Sequence, residues 1–100
     1  MDINFEYDDV TASKRLESLA TEKLEKLAKK YEMIIRADVF FKQENTSSDE
    51  TGMICNIRVS VPGPRIFAEA SHDNFEEAIA ESVRDLDRQL AKKKGKMQSH

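Results

Sequence analysis

The stretch MICNIRVSVPGPRIFAEAS, residues 53–71, carries the plan of the fold. In its first half Met53, Cys55, Ile57, Val59 and Val61 alternate with Asn56, Arg58 and Ser60. That period of two marks a strand with one face in a core and the other in water. Pro62, Gly63 and Pro64 then interrupt the ladder, because proline has no N–H to give and glycine tolerates the reversal. RIFAEAS resumes as a second strand, and the two form an antiparallel hairpin.

Toward the N-terminus, ENTSSDETG (44–52) is too hydrophilic to pack and reads as a long hairpin loop. IIRADVFFKQ (34–43) precedes it as a strand with Val39 and Phe41 on one face and Phe40 on the other. Further back, Leu16, Leu19, Ala20, Leu24, Leu27 and Tyr31 recur every three or four residues, an amphipathic helix of about five turns. Thr11 or Ser13 can cap its start, and it should end between Tyr31 and Met33. INFEY (3–7) alternates Ile3, Phe5 and Tyr7 with polar neighbours and reads as one more strand.

Beyond the hairpin, SHDN (71–74) offers Asp73 as a helix N-cap, with Glu76 three residues later. Phe75, Ile79, Val83, Leu86 and Leu90 then form the apolar stripe of a second long helix, running to about Lys93 with Gly95 as its stop. The order β-α-β-β-β-α predicts an α+β, two-layer domain: a four-stranded mixed sheet with both helices packed on one face. The domain is expected to span 1–94, with 95–100 as a frayed tail.

At 100 residues and 39% apolar content the chain can bury one core without disulfides or metal. One cysteine gives neither a disulfide framework nor a Cys-rich metal site. The opening MDINFEYDDV lacks a basic region followed by an apolar run, and no apolar run approaches the ~20 residues that span a bilayer. A cytoplasmic protein is expected, with no membrane partner.

The net charge of −3 conceals an asymmetry. Residues 1–83 hold 10 basic and 17 acidic side chains, whereas residues 84–100 hold 6 basic and 2 acidic. A basic tail on an acidic body predicts a localised anionic partner. On a helical wheel the first helix divides lengthwise. Arg15, Lys26, Lys29 and Lys30 share one flank, interrupted by Glu22, with Lys23 at the margin of the apolar stripe. Glu17, Glu25 and Glu32 take the other flank. On the second helix Arg84, Arg88 and Lys92 point away from the core at i, i+4 and i+8. Like charges at that spacing cost about 0.2–0.5 kcal/mol per pair.

Two readings account for this pattern. Acids early and bases late in the second helix complement its dipole, and Glu81–Arg84 and Asp85–Arg88 are candidate i, i+3 pairs. Alternatively, the two helices lie side by side and join their cations into one groove for a phosphate backbone. Tryptophan is absent and most aromatics fall at core positions, with Phe40, Phe67 and Tyr31 as candidates for partial exposure. That favours backbone and shape recognition of folded RNA over a stacking platform.

Catalytic constellations are missing. Cys55 falls mid-strand on the apolar face and reads as a small buried hydrophobe. His72 reads as a solvated loop residue and His100 is terminal. No histidine pair has metal-ligand spacing, and VPGPR is not a phosphate-cradling loop. No enzyme, cofactor, metal or small-molecule substrate is expected.

The segment FEEAIAESVRDLDRQLAKKKGK (75–96) is similar to the last helix of the short ribosome hibernation-promoting factors and ribosome-associated translation inhibitors. That helix typically reads Ala-Ile, then Leu-x-x-Gln-Leu, with lysines every second residue. TEKLEKLAKKY (21–31) resembles the family's first helix, and the element order matches from end to end. The resemblance implies binding to the small ribosomal subunit between head and body, in the channel for mRNA and tRNA. There it would inhibit translation in stationary or stressed cells and preserve idle ribosomes. It places ribosomal-RNA contacts at Lys23, Lys26, Lys29 and Lys30 on the first helix. On the second it places them at Arg84, Arg88, Lys92, Lys94 and Lys96. It also implies a protein that is monomeric off the ribosome. Well-known members are more basic than this chain. The rival readings are a general structured-RNA-binding module and a protein-interaction domain that uses the acidic flank and sheet face.

Overall fold

The computed structural model describes residues 1–45 and 51–98. Its elements run β1 (Asp2–Asp8), α1 (Lys14–Lys30), β2 (Arg36–Gln43), β3 (Met53–Ser60), β4 (Ile66–His72) and α2 (Phe75–Gln98). The four strands form one sheet in the order β1-β2-β3-β4. β1 runs parallel to β2, because α1 carries the chain back between them, with Phe5 opposite Val39. β2–β3 and β3–β4 are antiparallel, setting Phe41 opposite Cys55 and Ile57 opposite Ala68. The order and the mixed α+β sheet are those the sequence predicts. At the β2–β3 hairpin, Glu44 N donates to Gly52 O at 2.9 Å, while residues 46–50 of the expected loop lie outside the described residues.

One face of the sheet is covered and the other open. Val39, Phe41, Cys55, Ile57 and Val59 are fully buried beneath the helices, with Ala68 and Ala70 nearly so. The small β4 residues let α2 approach closely, and α2 packs on β3 and β4. Leu16, Ala20, Leu24 and Leu27 of α1 and Ala78, Ile79, Leu86 and Leu90 of α2 complete the core. Phe41 organises one end of it. Its ring stacks on Phe5 and Tyr7 and meets Phe75, the first residue of α2, edge-on at 5.5 Å.

The helix ends follow from capping chemistry, with two departures from expectation. Ser13 caps α1, its hydroxyl accepting from Leu16 N at 3.3 Å, and Tyr31 closes it. At α2 the cap is Asn74 rather than Asp73. Asn74 Oδ1 accepts from Glu77 N at 2.8 Å, while Asp73 accepts from the Asn74 amide. β4 extends through His72, one residue further than expected, so the helix register moves along with it. α2 also passes through Gly95 to Gln98. A single glycine costs about 1 kcal/mol against alanine, too little to break a helix already propagating among good helix formers.

Candidate nucleic-acid interface

α1 and α2 lie side by side, and the contacts across their seam determine which cations stay free. Arg15 Nη1 bonds Glu76 Oε2 at 2.7 Å near one end. Near the other, Lys30 Nζ reaches Asp87 Oδ1 at 3.0 Å and the buried Tyr31 hydroxyl donates to the same oxygen at 2.6 Å. These contacts shift the groups in consistent directions. The Tyr31 hydroxyl and then Lys30 hold the Asp87 carboxyl below its ordinary value. The bond to Asp87 raises both Lys30 and Tyr31. Glu76 is lowered by its own backbone N–H and then by Arg15. Lys30, placed on the basic flank by the sequence, is thus paired within the molecule. Tyr31, a candidate for partial exposure, is 4% exposed.

The remaining cations of α1 divide. Lys23 is half-buried, Lys26 pairs with Glu22 at 3.7 Å, and Lys29 makes no ion pair among the described residues. Lys26 and Lys29 share a shallow depression with Phe5, Glu17, Glu22 and Glu25, a surface of mixed sign. α1 therefore does not deliver all its lysines to α2.

On α2 the cations are freer. Arg84, Arg88, Lys92, Lys94 and Lys96 are all exposed. Arg88 alone has a partner among the described residues, Asp85 at a long 3.5 Å. The expected Glu81–Arg84 pair is absent, because Glu81 bonds His72 Nε2 at 3.1 Å instead. His72 is accordingly a half-buried strand residue, not a solvated loop one. At the end of α2, Lys92, Lys93 and Lys96 gather with Arg65 and Pro64 from the turn before β4. Sequence reasoning missed Arg65 and Lys93. Lys93 falls on the core side of the wheel, and Arg65 stands 27 or more residues away with no local signal linking it to the helix.

Arg84, Lys92, Lys94 and Lys96 thus make no ion pair among the described residues; chemically, Lys offers a polyanion point charges and Arg can bond phosphate bidentately. Cys55 does not add chemistry. It is fully buried, and desolvation pushes its thiol up to about 12, so it stays protonated at neutral pH. Among the described residues no group of three or more His, Cys, Asp or Glu side chains is placed to hold a metal ion. None of their helices is long and apolar enough to cross a membrane.

No curated protein matches the sequence significantly. The fold is similar to that of a ribosomal subunit interface protein from Coxiella burnetii. The two share 24% identity and a TM-score of 0.80 over 95% of this chain and 99% of that one. It is also similar to the N-terminal domain of Protein Y from Thermus thermophilus, at 19% identity and a TM-score of 0.72 over 90% and 96% of the two chains. The sequence model of the sigma 54 modulation protein / S30EA ribosomal protein family matches residues 3–98. The chain belongs to that family, the family of the ribosome hibernation-promoting factors that its last helix resembles.

Proposed function

We propose that this protein is a cytoplasmic ribosome hibernation factor that binds the small ribosomal subunit in the mRNA and tRNA channel. There it inhibits translation and preserves idle ribosomes under stress or in stationary phase. The observation that carries the reading is the set of exposed cations on α2, Arg84, Arg88, Lys92, Lys94 and Lys96, with almost no internal partners among the described residues, on a chain of net charge −3. Family membership supplies the ribosome as the polyanion, and the Coxiella burnetii relative is itself a ribosomal subunit interface protein. Lys23, Lys26 and Lys29 contribute from α1, and Lys30 contributes less because Asp87 already holds it. The protein acts by occupancy, with ribosomal-RNA phosphates relieving the repulsion along α2.

The test is co-sedimentation with ribosomes and separated subunits across a salt series. Wild type should pellet with the small subunit at low salt and be released as salt rises, because each phosphate neutralised releases counterions. The double variant Arg88→Glu/Lys92→Glu should stay in the supernatant while keeping its circular dichroism spectrum. A folded double variant that pellets normally would remove α2 from the interface.

A further inference from the structure

The uncovered face of the sheet divides by charge. Its β1 side presents Asp2, Glu6 and Asp8, all exposed, a surface that repels phosphate. Its β3–β4 side differs. Arg58 and Phe67 stand opposite each other in the register, and Phe40 pairs with Asn56 on the neighbouring rung. Phe67 is 61% exposed, so its ring is open to a partner. The Arg58 guanidinium lies over the Phe40 ring, 5.1 Å from its centroid. Asn56, Arg58, Arg65 and Phe67 together line a shallow depression of about 250 Å³.

Arg65 belongs to two surfaces. It lines this depression and also the cationic cluster of Lys92, Lys93 and Lys96 at the end of α2. The β4 edge between them is thus a continuous tract, with cations at one end and an exposed aromatic ring beside a guanidinium at the other. Glu69, the next residue along this face of β4, bounds the tract away from Arg65.

We propose that this tract binds a single-stranded RNA segment. The phosphates run from the α2 lysines past Arg65, and an unpaired base stacks on Phe67 beside Arg58. A base fits because every base has a π face that an exposed ring accepts without sequence preference, and a neighbouring guanidinium adds a second planar, cationic partner. The helix faces alone read the backbone of folded RNA, whereas this surface requires a base free of its stack. The inference rests on the RNA-binding reading above, shares Lys92 and Lys96 with it and adds the open face of the sheet.

The chain contains no tryptophan, so Phe67→Trp places a sole tryptophan reporter on the surface. The probes are an oligouridylate of about 12 nucleotides, within the span such surfaces cover, and an RNA duplex of equal length. Phe67→Ala should weaken binding of the single strand about 5- to 150-fold, the range one stacked base is worth, and leave duplex binding within about twofold. Phe67→Trp should bind like wild type and lose fluorescence on saturation with the oligouridylate. Unchanged single-strand affinity in Phe67→Ala overturns the proposal. So does an equal loss for both probes, unquenched tryptophan emission from the Phe67→Trp variant at saturation, or failure of wild type to bind the oligouridylate at low salt. If Arg88→Glu/Lys92→Glu abolishes ribosome binding while Phe67→Ala leaves oligouridylate affinity intact, only the sheet proposal falls. If that double variant keeps ribosome binding while single-strand binding depends on Phe67, only the helix assignment falls.

Discussion

The Tyr31 hydroxyl donates to Asp87 Oδ1 at 2.6 Å, joining the C-terminal end of α1 to the middle of α2 across 56 residues of sequence. The ring is buried and the carboxylate half-exposed, so one bond serves both the core and the rim of the helix pair. The same carboxylate holds Lys30, so this lysine of the basic flank has an internal partner.

Asp87→Ala should destabilise the domain by about 1–3 kcal/mol, because it strips the buried Tyr31 hydroxyl of its acceptor. Lys30→Met should leave stability almost unchanged, since an exposed ammonium contributes little once screened by water and salt. Thermal denaturation of the two variants side by side checks the order. Equal losses would mean the ion pair, not the tyrosine bond, holds the seam.

The same seam predicts the pH dependence of stability. Asp87 is depressed below its ordinary 3.8 and Glu76 below 4.5. Their contributions are complete above those values and are lost as pH falls through the lower folded-state ones. Lys30 and Tyr31 are raised above 10.5 and 10.0. Their contributions are complete below those values and are lost as pH rises through the higher folded-state ones. Denaturant midpoints should therefore be flat through neutral pH and fall at both extremes. Asp87→Ala should flatten both limbs, the basic one more strongly because Tyr31 and Lys30 lose their shared partner.

Two glycines should respond in opposite directions to alanine. Gly95 sits inside α2 with nothing within 4 Å of an added Cβ, so Gly95→Ala should stabilise by about 0.5 kcal/mol and raise helical dichroism. Gly63 has φ +92° in the turn before β4, and an added Cβ would lie 3.3 Å from Lys93 Nζ. Gly63→Ala should destabilise by about 1 kcal/mol or more, from the left-handed backbone. A stabilised Gly63→Ala would show that this turn can relax.

Single cation removals should separate by their internal partners. Lys92→Ala should lower the salt slope of ribosome binding by about one counterion, the value for one phosphate contact. Lys30→Ala should change it by much less, because that ammonium is already bonded to Asp87. Logarithmic plots of affinity against salt measure both slopes, and equal slopes would mean Asp87 releases Lys30 on binding.

Cys55 should resist a thiol reagent at neutral pH and react stoichiometrically only in denaturant. Its side chain is fully buried and its thiol is pushed up to about 12, so neither access nor thiolate is provided. Reaction at the rate of a free thiol without denaturant would reveal frequent opening of β3.

Much of the fold is legible in local patterns. Met53 to Val61 announce their strand by alternation, and Leu16 to Tyr31 announce their helix by spacing. Local chemistry is less decisive where two residues can do one job. Asp73 and Asn74 are both good caps, and the role goes to Asn74, where β4 ends and Phe75 meets Phe41. Gly95 resembles a stop because glycine is common there, yet its penalty is small beside the helix already formed. Ile54 falls on the face of Asn56, Arg58 and Ser60 in the alternation, and yet is only 9% exposed.

The element order, the buried faces and the concentration of positive charge late in the chain follow from the amino-acid order, because each depends on residues a few positions apart. Which charges remain available is a matter of packing. Lys30 is paired with Asp87 and Arg15 with Glu76, while Arg65 joins Lys92 and Lys96 around the sheet edge. Ion pairing falls off over a few ångströms, and only the docking of the helices on the sheet brings residues so far apart in sequence within that reach.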